Sequence, residues 1–468
     1  MELRRFEYVP AAITGRPPNT FIGVKYEDNT DKDYLWKRIR FNGLTTHWCP
    51  DRTLYYGSSS AKANAVGVND FDAMMLMGPT SHPQVLRNAG FRYAMASPHH
   101  VSGPSETRRN SLIKYFCDSG GFQLISGALD WVDMDELAEM YNRTIDYGIG
   151  LDIPVQGVLQ PKYLMRMCEV MLNNNRYLRS QVCKEVEIYD VSHGNAFKFR
   201  REFLARVLAQ KKQYKIEGGG LAVGGIAQNF RDGGAAQTIV TGTVNLVYVL
   251  LKSKGYYERY HILGTTSPFF QLLYHIMLEY EQAPHITADS TSYILPSAYN
   301  LYCSNKMVPD HSLQNVDLPK TVHSYTLQCN CPICSLVKYS RELHFTAATN
   351  AIHGLYVMGR QRDRIEETAL DYLGGRITLH EAVKTCYGGE SSLNNVYAAA
   401  LRFAQHACEK GFEAAWSRHE LALKSLMRSG MRTHTLFTAP IQPATPKAQR
   451  LDSILTRFEQ FHVRQKKR

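Results

Sequence analysis

The chain has 468 residues, 44% of them hydrophobic and 21% charged, a balance that excludes intrinsic disorder and supplies enough apolar residues for a sizeable core. At roughly 100–200 residues per domain, this length predicts two or three domains, or one large α/β barrel with additions. The formal net charge of +11 suits a polyanionic partner and says nothing about fold.

Met1-Glu2-Leu3-Arg4-Arg5 is followed by no apolar stretch, so a secretory signal is not expected and a cytoplasmic location is the default. Residues 1–70 read as an N-terminal extension. Short apolar runs ending in small or polar residues then recur at 73–77, 93–96, 112–117, 149–153, 186–191, 220–223, 260–263 and 286–288. Helical patterns at 134–147, 162–182, 199–210, 237–254 and 269–280 follow several of them. Strands alternating with helices predict a parallel sheet, and eight runs suit a closed (β/α)8 TIM-type barrel over 71–318, with an open doubly wound sheet as the competing arrangement. The longest apolar stretch, 239–251, contains Thr and Asn. It falls short of the ~20 residues that cross a bilayer, and is predicted to be a buried helix with no membrane partner.

Past Asn300 the alternation stops. Residues 303–327 read as irregular chain, 319–358 as a zinc-binding subdomain, and 359–468 as a helical C-terminal region, clearest at 396–408 and 412–428. A Pro-bearing stretch at 439–446 precedes a last helix that ends in Arg464-Gln465-Lys466-Lys467-Arg468. Of the ten cysteines, three crowd into Cys329-Asn330-Cys331-Pro332-Ile333-Cys334. In a reducing compartment that grouping points to metal rather than to a disulfide framework, the alternative being three reduced thiols with no ion. Three thiolates in one turn suit tetrahedral Zn2+ with His as fourth ligand, and both His344 and His353 lie downstream. Four protein ligands leave no open position for water, so the site is expected to be structural.

Asp118-Ser119-Gly120-Gly121-Phe122-Gln123 directly follows a predicted strand. In a parallel barrel the C-terminal strand ends face the active site, and the two glycines let backbone approach a ligand. Asp152 and Asp289 occupy equivalent places on their strands, and Gly218-Gly219-Gly220-Leu221-Ala222-Val223-Gly224-Gly225 offers N–H groups free of side-chain obstruction. A single such Asp is commonly a helix cap or turn former. Three at strand ends, with a glycine run among them, point to chemistry.

The 118–123 motif, the 219–224 glycine stretch and Cys329-x-Cys331-x-x-Cys334 occur in one order. That order resembles the tRNA-guanine transglycosylase superfamily, over about residues 73–353. The resemblance implies a (β/α)8 barrel with a zinc subdomain near its end. It also implies exchange of a guanine in a polynucleotide for a 7-deazaguanine base, without strand breakage. Carried over by position, Asp289 is the nucleophile that forms a covalent glycosyl-enzyme, and Asp118 is the general acid/base. Phe122 stacks on the base, Asp152 reads its N–H edge, and Ser119, His193, Gly219, Gly220 and Leu221 complete the base site. Ile352-His353-Gly354-Leu355-Tyr356 resembles the family's ligand-bearing helix and favours His353 over His344. Arg108, Arg109, Lys211, Lys212 and Lys215 are candidates to grip phosphates.

Val191-Ser192-His193-Gly194 stands where most of the tRNA enzymes carry Gln-Gly-Gly, and the C-terminal hundred residues read as helical rather than as a strand-rich RNA-binding module. These departures resemble the DNA-acting branch of bacterial and phage DNA-modification systems, which inserts the nitrile-bearing base preQ0. DNA and a free 7-deazaguanine base are then the expected partners, with an accessory protein of such a system as a further one. The same exchange on tRNA is the alternative. A non-catalytic, zinc-stabilised nucleic-acid-binding subunit is the second alternative, and it would lack a catalytic carboxylate.

Overall fold

The computed structural model describes residues 5–10, 25–27, 37–41, 44–48, 54–56, 86–87, 89–96, 113–126, 131–153, 161–194, 196–216, 219–226, 235–290, 301–303, 315–317, 329, 331, 334, 347–387, 389, 392–428 and 446–465. The expected run at 73–77, together with Arg108, Arg109 and His344, lies outside them.

Eight parallel strands form the barrel. In chain order, β1 is Arg5–Pro10, and a separate antiparallel sheet follows with β2 (Lys25–Glu27), β3 (Lys37–Phe41), β4 (Leu44–Trp48) and β5 (Leu54–Tyr56). The barrel resumes with β6 (Tyr93–Ala96), β7 (Lys114–Cys117), β8 (Tyr147–Ile149), β9 (Glu187–Ser192), β10 (Gly220–Val223), β11 (Arg259–Ile262) and β12 (His285–Ser290). The hydrogen-bonded order is β1-β12-β11-β10-β9-β8-β7-β6, every neighbour parallel. At the seam β1 and β6 lie in contact, linked by the Tyr8 and Phe91 rings at 5.5 Å and by Arg92 facing Glu7 at 3.9 Å. The ring is therefore nearly closed. The strand at the seam comes from Arg5–Pro10, inside the segment expected as an N-terminal extension.

Helices α1 (Gly121–Ser126) and α2 (Met134–Thr144) both follow β7, and α3 (Pro161–Gln181), α4 (Phe197–Gln213), α5 (Ala235–Ser253) and α6 (Pro268–Glu279) follow β8, β9, β10 and β11 in turn. Asp133 caps α2 by accepting N–H bonds from Asp135 and Glu136, as an aspartate at that position is suited to do. Helix α5 is long and apolar enough to cross a membrane by length and composition, yet 67% of that window is buried in the protein. It is a barrel helix, as its Thr and Asn content predicts.

Side chains alternate along each strand, so every second residue points inward. Rings fill the middle of the barrel. Phe116 of β7 lies 4.7 Å from Tyr147 of β8, 5.5 Å from Tyr189 of β9 and 4.6 Å from His261 of β11, the last pair stacked at 24°. Gly220 starts β10 beside this layer, and a Cβ there would meet the Tyr189 ring at 2.2 Å. Its missing side chain is explained by packing.

After the barrel come β13 (Leu301–Cys303) and β14 (Asn315–Asp317), an antiparallel pair, and then helices α7 (Ala347–Leu373), α8 (Leu379–Tyr387), α9 (Asn394–Lys410), α10 (Phe412–Arg428) and α11 (Pro446–Gln465). The helical C-terminal region wraps the barrel's outer helices. Tyr397 stacks on Tyr387 at 4.7 Å and on Phe269 of α6 at 5.2 Å, while Phe412 stacks on Phe197 of α4 at 5.3 Å.

Candidate active site and metal centre

The three predicted carboxylates converge at the C-terminal mouth of the barrel. Asp118 follows β7 directly, Asp152 lies just past β8, and Asp289 is near the end of β12. The strand ends that carry them are clamped by buried polar side chains. The Tyr141 hydroxyl donates to Ile149 O at 2.8 Å and reaches Cys117 O at 3.3 Å, tying β8 to β7. Asn175 Oδ1 accepts the Leu151 N–H at 2.9 Å. Arg200, wholly buried, donates to Ser192 O at 2.7 Å and to Gly224 O at 2.6 Å, tying β9 to β10. Burial lowers the Arg200 guanidinium to about 9, opposed by the negative charge of Asp152.

Ser119 links two of the carboxylates. Its N–H donates to Asp118 Oδ1 at 2.7 Å, and its hydroxyl oxygen accepts the Asp152 N–H at 3.0 Å. The Ser119 side chain is thus engaged in holding the site together. Gly121 is required by the same contact, because a Cβ there would fall 1.6 Å from Asp152 O. Phe122 is in α1, the helix that starts immediately after this turn.

The Asp118 carboxyl is pushed up to about 7. Burial is the main cause and the Asp152 charge the next. The Ser119 N–H opposes them, and Asp289 adds a further upward push. Both other carboxylates are therefore close enough to be felt at Asp118. Asp289 Oδ1 accepts the Gly264 N–H at 2.8 Å and faces His261 Nε2 at 3.3 Å. Asp152 Oδ1 faces His193 Nδ1 at 2.9 Å, with the His193 ring buried. A Cβ on Gly224 would come within 2.8 Å of His193 Nδ1 and 2.9 Å of Asp152 Oδ2. The glycine run thus meets the site at Gly224 and Gly225. Gly219, Gly220 and Leu221, expected against the base, start β10 at its opposite end, where Gly220 pairs with Arg259 and Gly219 O accepts the Glu258 N–H.

Three of the expected phosphate-gripping lysines also lie at that opposite end. Lys211 and Lys212 are in the last turn of α4 and Lys215 follows it, ahead of β10. Lys211 is buried, its Nζ 4.3 Å above the Tyr257 ring. His261 and Arg200 were not anticipated from the sequence. The available signal was the period-two pattern of Arg259 and His261 on β11 and of His285, Thr287 and Asp289 on β12, which puts His261 and Thr287 inside the barrel beneath Asp289.

Cys329, Cys331, Cys334 and His353 form a buried group whose ligand atoms lie within 4.8 Å of one another, and which could hold a metal ion. His353 Nδ1 is 3.4 Å from Cys331 Sγ and 3.3 Å from Cys334 Sγ. Tetrahedral zinc bonds would place such N···S edges at about 3.5 Å, so the donor set and its spacing fit zinc. Arg360, two helical turns beyond His353 on α7, donates to Cys329 Sγ at 3.3 Å. A guanidinium there favours the thiolate form that binds a metal.

The chain matches no protein-family model and no curated protein.

Proposed function

We propose that the chain is a nucleic-acid guanine transglycosylase that exchanges a guanine in DNA for a 7-deazaguanine base, preQ0, through a covalent Asp289–glycosyl intermediate. The observation that carries this reading is the pairing of Asp118, raised to about 7, with Asp289, held by a backbone N–H at the same barrel mouth. One carboxyl is suited to give and take a proton near neutrality, and the other to attack carbon.

Asp289 adds to C1′ as the glycosidic bond breaks, and the bonding pair leaves on the base with the Asp118 proton. The incoming base then returns a proton to Asp118 and displaces Asp289. Two displacements at one carbon retain configuration. Asp152, facing His193 and tied through its backbone N–H to Ser119, is placed to accept N–H groups from the edge of a flipped base. A base with carbon at position 7 cannot be protonated there and leaves less readily, so exchange runs toward the deazaguanine. Zinc at Cys329, Cys331, Cys334 and His353 would be structural, since four protein ligands fill its shell.

The test is incubation of the protein with preQ0 and a guanine-containing DNA oligomer, and separately with tRNA, followed by mass spectrometry of each polymer. A deazaguanine mass change in DNA that is lost in Asp289→Ala supports the proposal. A change in tRNA alone moves the substrate to RNA and leaves the chemistry standing. No change in either polymer contradicts it.

A further inference from the structure

The Gly264 N–H donates to Asp289 Oδ1 at 2.8 Å, the one hydrogen bond to this carboxylate among the described residues. His261 Nε2, 3.3 Å from the same oxygen, makes no hydrogen bond to it. What holds Asp289 is therefore the turn after β11, residues 263–266, and buried side chains hold that turn. On the strand side, the Leu263 N–H donates to Val223 O of β10 at 3.1 Å. On the other side two residues of α6 reach it. The Tyr274 hydroxyl donates to Thr265 O at 2.7 Å, and Gln271 Nε2 donates to Thr266 O at 2.7 Å. Tyr274 is fully buried, with its ring 5.0 Å from that of Phe6 on β1. Burial pushes its phenol well above the usual range and the Asp289 charge adds to this, so the hydroxyl keeps the proton it donates.

Between these anchors lies the Leu263–Gly264 peptide, whose N–H is the Asp289 donor. Gly264 has φ +68°, and glycine admits a reversed peptide more readily than any other residue. Reversal would set a carbonyl oxygen against the carboxylate. The buried Thr265 hydroxyl opposes it by donating to Leu263 O, the carbonyl of that same peptide, at 3.2 Å. The peptide is planar and trans, so holding its carbonyl fixes the direction of its N–H.

We propose that Thr265 and Tyr274 are positioning residues that lock the Leu263–Gly264 peptide with its N–H on Asp289 Oδ1, and so orient the nucleophile. The inference rests on the transglycosylase reading above. In the first displacement Asp289 gives an electron pair to C1′, the C1′–N bond breaks, and its pair leaves on the base with the Asp118 proton. In the second the incoming base loses its proton to Asp118, its nitrogen bonds to C1′, and Asp289 leaves with the C1′–O pair. The negative charge that returns to Asp289 strengthens the Gly264 hydrogen bond, so the locked donor assists this step.

The test measures kcat and KM on a guanine-containing DNA oligomer with labelled preQ0, with thermal unfolding as a check of the fold. The variants are Thr265→Val, Thr265→Ser, Tyr274→Phe and the Thr265→Val/Tyr274→Phe pair. Valine keeps the shape of Thr265 without its hydroxyl, serine keeps the hydroxyl, and phenylalanine keeps the Tyr274 ring. Thr265→Val and Tyr274→Phe should each lose about 10- to 100-fold in kcat, the size of effect that up to an ångström of misplacement produces. KM should stay within about two-fold, and Thr265→Ser should recover to within about three-fold of the wild type. The paired variant should be no more than about three-fold slower than its slower single variant, since both residues act on one turn.

Unchanged kcat in a folded Thr265→Val or Tyr274→Phe variant overturns the inference. So does a KM change at constant kcat, a Thr265→Ser variant as slow as Thr265→Val, or losses that multiply in the paired variant. If Thr265→Val does not fold, Tyr274→Phe carries the same test. In each overturning case the wild-type chain still exchanges bases and the functional reading stands. A wild-type chain that exchanges no base in DNA or tRNA overturns the reading itself, and this inference with it.

Discussion

Asp118 sits at the end of β7 with its carboxyl raised to about 7, first by burial and then by the charge of Asp152. Because this group binds its proton more tightly in the folded protein, its burial opposes folding increasingly as pH rises from about 4 toward 7. In the proposed exchange, base departure needs the protonated form. The exchange rate should therefore fall as pH rises through about 7. Asp152→Asn removes one of the upward pushes, so its falling limb should move to lower pH; a pH–rate profile of the two proteins, read at saturating base, checks this. A limb that stays in place would mean that Asp118 is not the titrating acid. The three aspartates could be read from the sequence because each stands at or near the end of a predicted strand and two have glycine close by. Arg200 and His261 could not. A lone Arg in a helix and a lone His in a strand have many ordinary uses, and nothing local shows that Arg200 reaches two strand ends or that His261 lies under a carboxylate.

Helix α11 shows what the C-terminal region does for the barrel. Leu451, Ile454, Leu455 and Phe458 are buried, and Phe458 meets Trp131 at 4.3 Å beneath the Arg457 guanidinium. Arg166 of α3 binds both oxygens of Glu459 at 2.8 Å and reaches Asp452 at 2.5 Å. Arg450 donates to Leu124 O at 3.0 Å, within α1, the helix that carries Phe122. Docking of α11 therefore supports the turn that presents Asp118. Phe458→Ala should cost about 3–5 kcal/mol of local stability. Hydrogen exchange should show α11 and α1 opening together while β9–β12 stay protected, and base exchange should slow. Loss of protection across the whole barrel would show instead that α11 belongs to the global folding unit.

Helices α2 to α6 were readable because each runs for three turns or more between predicted strands, whereas the six-residue α1 was not expected. Strand β1 was not, since Arg5–Pro10 is six residues long and its partner β12 lies some 280 positions away in the chain. Short strands whose partners are distant carry little local signal, and an apolar run at 73–77 drew the expectation instead.

At the scale of the chain, the metal group and the barrel seam share one helix. Helix α7 brings His353 to the three cysteines, and further along it Arg362 donates to Gly90 O at 2.9 Å and covers the Phe91 ring at 5.4 Å, beside the contact between β6 and β1. The Cys-x-Cys-x-x-Cys spacing was readable at once; that its histidine helix also braces the seam was not, because both links are made in three dimensions. Metal removal should accordingly loosen more than a local turn. Chelation is expected to release about one zinc per chain and to lower the thermal midpoint, by about 1 °C for each kcal/mol of lost binding free energy in a chain of this length. Cys331→Ser should reproduce the shift, and an unaltered midpoint with the metal gone would remove the structural role.

The central claim is that Asp289 becomes covalently attached to the sugar. The protein would be incubated with a guanine-containing DNA oligomer, denatured within a turnover, digested with protease and nuclease, and mapped by mass spectrometry. A sugar–phosphate adduct on the peptide bearing Asp289, absent from Asp289→Asn, is the predicted result. An adduct at Asp118, or steady base exchange with no adduct on any carboxylate, would contradict the account.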